Sequence, residues 1–566
     1  MSTSVIHVEA RNSQSHAGDE VSTSGSAASV ERRHDLDALR AIAMLLGIVL
    51  HAALSFTSIP WAVRDAQQSE SFSVLFGFIH GFRMPLFFML SGFFTAMLWR
   101  KRGLASLVRH RFKRIFLPLV LGCLTIVPAM WAVSSYAARS SANGAEDSAL
   151  FAAVVSGDVE LVRSQLRDPE VDVNAVDANS GSSPLCTAVF LGRTEIVGLL
   201  IDAQADVDLA NRDMASPLHI AAFMGRAAEA ALLMEAGADV HVRDMNMSTP
   251  SDVLATDIGT TSFIANSLGV QVDEEALLAG RREIAEQLGA SEYLRADTSN
   301  ESRSGFAGLS GLLFYLPVFM HLWFLWFLCL LVLVFLGYAP IARTLRIESL
   351  PRWLVLSPVS LLWLVPLTML PQAFMQSGTF GPDASIGLLP IPSVFAYYAV
   401  FFFFGAIYWD MADSDGRLGR WWYVSLPTAC LIVFPIAFDW VTGQLGIVPS
   451  LGDTRMSALV GNCLQALFAW LMVSGSIGAC RHWLSRESKR LRYISDASYW
   501  MYLVHLPIVI LAQAWVRNLQ APAFLKFAGI TIAVSVFLLV TYEYGVRYTP
   551  IGRLLNGPRT RSAGVA

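Results

Sequence analysis

Apolar residues along this 566-residue chain gather into long runs, near 38–58, 73–98, 115–134, 312–338, 353–371, 393–410, 420–441, 456–479, 494–516 and 523–547. Crossing a hydrocarbon layer of about 30 Å takes about 20 predominantly apolar residues of helix. The ten runs therefore predict ten membrane-spanning helices. Boundaries are hardest to place around the fifth and sixth runs, where Pro366, Pro371, Pro390 and Pro392 each kink or end a helix.

A polar stretch of about 139–305 interrupts the runs and follows a period of 33 residues. Ser183-Pro184-Leu185 returns as Ser216-Pro217-Leu218-His219, and Thr249-Pro250 follows at the same step. Ala188, Gly192 and Leu199-Leu200 return as Ala221, Gly225 and Leu232-Leu233, and Ala205-Asp206-Val207 as Ala238-Asp239-Val240. The pattern resembles an ankyrin repeat array, whose unit is a turn and two short helices. A looser copy begins near Ser148, and the amphipathic segment 273–293 is placed to cap the stack. The expected organisation is all-α: a polytopic membrane bundle of about ten spans with an inserted ankyrin solenoid. Its divisions are a disordered tail (1–33), three spans (34–138), the insert (139–305), seven spans (306–549) and a C-terminal tail (550–566).

Composition agrees with a membrane protein, at 54% hydrophobic and 15% charged residues, and a net charge of -4 gives no support to a nucleic-acid partner. The six cysteines have no CxxC spacing. Basic clusters fall on alternate loops: Arg100-Lys101-Arg102, Arg109 to Arg114, Arg343 to Arg352, Arg417 with Arg420, Arg481 to Arg492, and the C-terminal tail. The opposite short loops hold little beyond Arg64, Arg455, Arg517 and Lys526. Since cytoplasmic loops collect Lys and Arg, both termini are expected inside, with the array outside. Cys186, inside the repeats, is the native thiol whose labelling would report the array's side.

Arg40 and His51 lie eleven residues apart on the first span. Eleven residues turn a helix to roughly 20° past three turns and advance about 16 Å, so the pair shares one face. Snorkelling of Arg40 and packing of His51 would explain either alone. The second span adds His80 and Arg83 near the depth of His51, with Ser91-Gly92 deeper. His321 opens the fourth span, and Tyr502 and His505 lie within the ninth. Ionisable groups in a span are costly and mark pathways or sites. A metal is not expected from four histidines on four helices without carboxylates at their depth. The basic cluster containing Arg111 and Arg114 anchors the chain inside, and arginine forks also suit phosphates.

Together, the Arg-x10-His pair, Phe87-Phe88-Met89-Leu90-Ser91-Gly92-Phe93-Phe94, Arg111-x-x-Arg114 before a proline, and Ser498-Tyr499-x-x-Tyr502-Leu503-x-His505-x-Pro507 resemble the membrane acyltransferase 3 family. The opening Leu36 to His51 and the His321-Leu-Trp-Phe-Leu run are most similar to its glucan succinyltransferase branch. The resemblance covers about 400 residues and leaves the insert unmatched.

It implies an integral enzyme of the inner (plasma) membrane. The enzyme would move an acetyl- or succinyl-type group from cytoplasmic acyl-CoA (acetyl-CoA or succinyl-CoA) to a hydroxyl of an extracytoplasmic glycan or related acceptor. His51 matches the family's catalytic position; Arg40, Arg111 and Arg114 match positions associated with the donor. The candidate site adds Arg83, His80 and His321 to His51 and Arg40 on the catalytic side, and Ser91, Tyr502 and His505 on the donor-binding side. A protein partner on the array is expected, because such arrays bind proteins on a concave face. Two other classes fit parts of the pattern: a transporter with an intramembrane Arg/His path, and a membrane-anchored ankyrin scaffold. Against the first, the spans show no inverted repeat; against the second, ten spans with embedded histidines exceed what an anchor needs.

Overall fold

The computed structural model describes residues 33–57, 59, 61–65, 67–142, 149–177, 181–211, 213–244, 248–256, 258–267, 269–290, 313–314, 318–344, 350–375, 379–448 and 455–557. The expected disordered tail, apart from Arg33, and the end of the C-terminal tail lie outside them.

All regular structure among the described residues is helical. Helix α1 (His34–Ala53) starts with Asp35 and Asp37 in its first turn, where carboxylates complement the positive end of the helix dipole. It finishes in a 3-10 turn, Leu54–Phe56. Helix α2 (Glu70–Arg111) is broken at Gly103, whose φ of 76° is a left-handed value that glycine adopts without penalty. A π-turn, Phe112–Phe116, joins it to α3 (Leu117–Ala142). The second and third predicted runs thus lie on one continuous apolar stretch, Glu70–Ala137, bent before the basic cluster.

Among the described residues, eight helical stretches are long and apolar enough to cross a membrane, and α1 is the most deeply buried of them. It packs against α2, α3's neighbour Lys489–Val516, and Arg455–Leu484, which sets the half-buried Arg40 and His51 among neighbouring helices. The fifth predicted run is the exception in length. It forms only a short apolar stretch, Pro358–Gln372, because Ser357 and Pro358 start a new turn. Its α-helical part is 12 residues, about 18 Å at 1.5 Å per residue. The described helices place each of the ten runs on helix, the second and third sharing one stretch.

Glycines set the tightest packing. A side chain at Gly92 would overlap the Phe402 carbonyl, and one at Gly405 the Met89 carbonyl. The backbones of α2 and Pro392–Asp410 are therefore in contact, as small residues permit between membrane helices.

The repeats have their own core, including Leu150, Val162, Leu185, Val197, Leu218 and Leu233. Helices α4 (Ala149–Ser156) and α5 (Val159–Gln165), α6 (Pro184–Leu191) and α7 (Thr194–Asp202), and α8 (Pro217–Met224) and α9 (Ala227–Glu235) form successive pairs. Ser183 and Ser216 cap α6 and α8 with proline at the first turn, and left-handed Gly192 and Gly225 end them, which is why these residues recur every 33 positions. After α10 (Pro250–Val253) and α11 (Ile258–Ser267), α12 (Glu274–Gln287) closes the stack. Its buried Arg281 donates to the Phe223 carbonyl and to Thr261 Oγ1, both at 2.7 Å.

Candidate functional site

Three of the predicted histidines meet. The His51 ring, at the last turn of α1, lies 5.2 Å from that of His505, which lies 5.7 Å from that of His321 at 89°. Each of these histidines comes from a different helix, so their meeting depends on the packing of α1 against Lys489–Val516. His321 follows Met320, whose φ of 46° is strained for a side-chain-bearing residue, a condition that clusters at functional sites.

The hydrogen bonds fix the tautomers of the neutral rings. His505 Nδ1 lies 2.8 Å from the Tyr502 carbonyl, and His321 Nε2 lies 3.0 Å from the Leu503 carbonyl. A carbonyl only accepts, so those ring nitrogens carry the protons. The opposite atoms, His505 Nε2 and His321 Nδ1, are bare lone pairs, buried and unpartnered, and His51 Nδ1 is also buried without a partner. Tyr502 donates its hydroxyl to the His321 carbonyl at 2.8 Å, tying the 3-10 turn to the helix that carries His505.

Arg83 lies beside this set. A side chain at Gly47, one turn before His51, would overlap the Arg83 guanidinium, so that glycine gives the guanidinium its seat on α1. Arg83 has no carboxylate within ion-pair distance among the described residues, and its Nε is buried and unpartnered. A guanidinium does not lose its charge in a protein, and a buried unpaired charge is costly. Such a group is suited to a ligand that is negatively charged or becomes so. His80 does not touch the other imidazoles: its ring stacks on Phe76 at 5.0 Å and lies against Gly381.

A second cluster surrounds Arg40. Arg40 donates to Ser495 Oγ at 2.8 Å and lies 3.4 Å from Asp37. One turn after Ser495, Tyr499 donates to the Arg114 carbonyl at 2.7 Å, and Arg114 donates to the Leu555 carbonyl at 2.8 Å. Arg111 reaches back to Thr95 Oγ1 at 2.6 Å, and Thr95 donates to the Ser91 carbonyl at 2.7 Å. Of the predicted donor-side residues, Arg40 and Arg114 thus meet Ser495 and Tyr499, one turn apart on one helix, while Arg111 is held by Thr95. The neighbour of Ser91, Gly92, serves close helix packing.

Two residues that sequence reasoning passed over complete the histidine cluster. Trp61, in the loop after α1, stacks on His51 at 5.8 Å and 16°. Gln513 accepts from Trp61 Nε1 at 2.8 Å and donates to the His51 and Ala52 carbonyls at 2.9 and 3.3 Å. Gln513 is a signal visible beforehand: eleven residues after Tyr502, it repeats the same-face spacing of Arg40 and His51.

A histidine cluster with Arg83 at the end of α1, and Arg40 with its partners near the start of the same helix, define a polytopic membrane protein with an embedded polar site. The match to the acyltransferase-domain family spans residues 33–147 and 287–542, more than half of the chain, and the chain belongs to that family. Ankyrin repeats, in three copies, match residues 150–244, between the two parts. Glucans biosynthesis protein C of Escherichia coli strain SMS-3-5 / SECEC is 38% identical over 100 residues, 18% of this chain and 25% of that protein. Its counterpart in strain K12 is 37% identical over the same share. The chain therefore spans about a quarter of the length of the curated relatives it matches.

Proposed function

We propose that this acyltransferase moves an acetyl- or succinyl-type group from cytoplasmic acyl-CoA to a hydroxyl of an extracytoplasmic glycan, with Arg40, Arg111 and Arg114 at the donor's phosphates and His51 at the acceptor. The observation that carries the reading is the pairing of a histidine cluster that has unpartnered ring nitrogens with an arginine, Arg83, whose Nε is buried and which has no carboxylate within ion-pair distance among the described residues.

In this reading His51 takes the proton of the acceptor hydroxyl, whose oxygen attacks the thioester carbonyl. As the carbon–sulfur bond breaks, the thiolate leaves with the proton that His51 had taken. Charge develops meanwhile on the carbonyl oxygen, and donors already in place there are worth a few kcal/mol. Of Arg83 and His321, Arg83 suits that task better, because the only proton of the neutral His321 ring goes to the Leu503 carbonyl. His321 and His505 suit the acceptor hydroxyl instead, through their bare nitrogens. Tyr502 holds the His321 turn, Ser91 lies beside Thr95 at the donor arginines, and His80 stands behind the cluster. Both termini would be cytoplasmic and the repeat array extracytoplasmic, where it would bind a protein partner.

Mass spectrometry of cell-envelope glycans, with cells carrying the wild-type protein or His51→Ala at equal membrane levels, tests the reading. Loss of acetyl or succinyl mass in the variant is expected. Undiminished acylation would remove His51 from the reaction.

A further inference from the structure

A cavity of about 300 Å³ lies away from the histidine cluster and shares no residue with it. Its walls come from the start of the short stretch Pro358–Gln372, from the segment Leu418–Thr428, and from Trp470–Ser474. The short helix explains why it exists: about 18 Å of helix cannot line the whole depth of a bilayer, so the neighbouring helices are left with an uncovered seam.

Five hydroxyls line this cavity: Ser357, Ser360, Ser425, Thr428 and Ser474. Two of them are turned to their own helices. Ser357 donates to the Trp353 carbonyl at 2.5 Å and Ser474 to the Trp470 carbonyl at 2.8 Å. At the base, Trp470 donates its indole proton to Thr368 at 2.9 Å and stacks on Phe401 at 4.3 Å. What remains toward the space is largely hydrocarbon and aromatic, including Leu361, Leu364, Phe404 and Leu471.

The cavity also adjoins exposed apolar side chains. Trp421, which lines it, is exposed, and so are Leu362 and Leu431 beside its walls. Arg420 stands in sequence between Leu418 and Trp421, both of which line the cavity. Arg420 is exposed and has no acidic partner among the described residues. An arginine next to a tryptophan at the start of a span is an interfacial pair suited to a phosphate.

We infer that this cavity binds one acyl chain of a membrane phospholipid, whose phosphate meets Arg420 at the mouth. The site differs from the acyl-transfer site in position and chemistry: it is largely apolar and is lined by no imidazole. A bound lipid there would close the seam that the short helix leaves.

The test uses the full-length protein in nanodiscs containing a phosphatidylglycerol with a diazirine midway along one acyl chain. Irradiation should label peptides containing Leu364 and Leu471. Leu471→Trp, or Ser474→Leu as an independent filling variant, should lower that labelling several-fold while labelling at the exposed Phe537 stays unchanged. Arg420→Gln should lower it for the phosphatidylglycerol probe but not for a free fatty acid carrying the same diazirine. Labelling of Leu364 and Leu471 no stronger than that of Phe537, or unchanged in both filling variants, would overturn the site. Equal labelling by the phospholipid probe in wild type and Arg420→Gln would overturn the phosphate contact. None of these readouts requires acyl transfer, so they stand apart from the proposed reaction.

Discussion

The imidazole of His51 and the indole of Trp61 lie nearly parallel, 5.8 Å apart, and one side chain, Gln513, holds both. Its amide oxygen takes the indole proton while its amide nitrogen binds the carbonyl of His51 itself. The loop after α1 is thus fastened over the histidine by a residue more than 400 positions away.

Replacing Gln513 with Ala frees the indole N–H and two carbonyls at once. Unmaking buried hydrogen bonds costs about 1–3 kcal/mol, which corresponds to roughly a ten- to hundredfold fall in rate if the loss falls on the transition state. The fall should be in kcat, with little change in donor KM, in a proteoliposome acyl-transfer assay. Trp61→Phe should show a similar loss, and the double variant should be little worse than either, because the two residues act as one unit. Additive losses would mean that they act separately.

At the other cluster, Thr95 fixes the direction of Arg111. Thr95→Val keeps the shape and removes the acceptor. Hydrogen bonds to charged groups contribute about 1.5–3 kcal/mol, so donor KM should rise about tenfold or more with kcat largely kept; Thr95→Ser should restore it. A fall in kcat at unchanged donor KM would detach Arg111 from the donor.

These two clusters differ in how much of them could be read in advance. The Arg40/His51 face follows from helix geometry alone, and Tyr502 and His505 stand in one short run, so each was legible. Trp61 was not, because its stacking depends on where a loop is fastened. Nor does any local pattern show that Lys526 pairs with Asp65, 461 positions earlier. The repeat spacing was legible in full, since each recurring Ser-Pro and Gly is a cap needed by its own helix. The short fifth helix was visible only as a crowd of prolines, whose effect on length depends on where the turns restart.

The Lys526–Asp65 pair is buried, with side-chain exposures of 3% and 1% and a separation of 2.9 Å. Lys526 also donates to the Arg517 carbonyl at 3.0 Å. Breaking a buried pair from one side costs about 3–5 kcal/mol, whereas replacing both partners with packed apolar groups is often neutral. Lys526→Met should therefore lower the thermal midpoint of the purified protein clearly, and the double variant Lys526→Met with Asp65→Leu should regain most of it. A double variant as unstable as the single one would show that the pair's hydrogen bonds, not the stranded charge, hold the loop.

The native thiol in the repeats is a poor reporter of sidedness. Cys186 is fully buried, burial pushes its thiol up from the ordinary value of 9.0, and its Sγ lies 3.4 Å from the Leu209 carbonyl. Thiolate is the reactive form, so a maleimide should label Cys186 slowly from either side. A cysteine at exposed Glu170 should label quickly, from the outside only if the array is extracytoplasmic. Labelling of Glu170→Cys only after the membrane is opened would reverse the proposed topology. Cys186 labelling as fast as that of Glu170→Cys would instead contradict its burial.

A pH response belongs to His219, in the third helical pair. Its Nε2 faces the Ser248 carbonyl at 2.8 Å, and its Nδ1 receives the Ser216 backbone N–H at 3.2 Å. The ring must therefore carry its proton on Nε2, and protonating Nδ1 would turn the acceptor of this cap into a donor. Burial is the main cause that lowers its pKa below the ordinary 6.5, against the raising influence of the Ser248 carbonyl. With the folded value depressed, the unfolded chain binds more protons in the window below 6.5, so stability rises with pH through that window and is lost as pH falls through it. Hydrogen exchange measured in the full-length protein, corrected for the intrinsic pH dependence, should show weaker protection of residues 216–224 well below 6.5 than above it. His219→Gln should flatten that difference. Protection that stays constant across the window in the wild type would mean that the cap survives protonation.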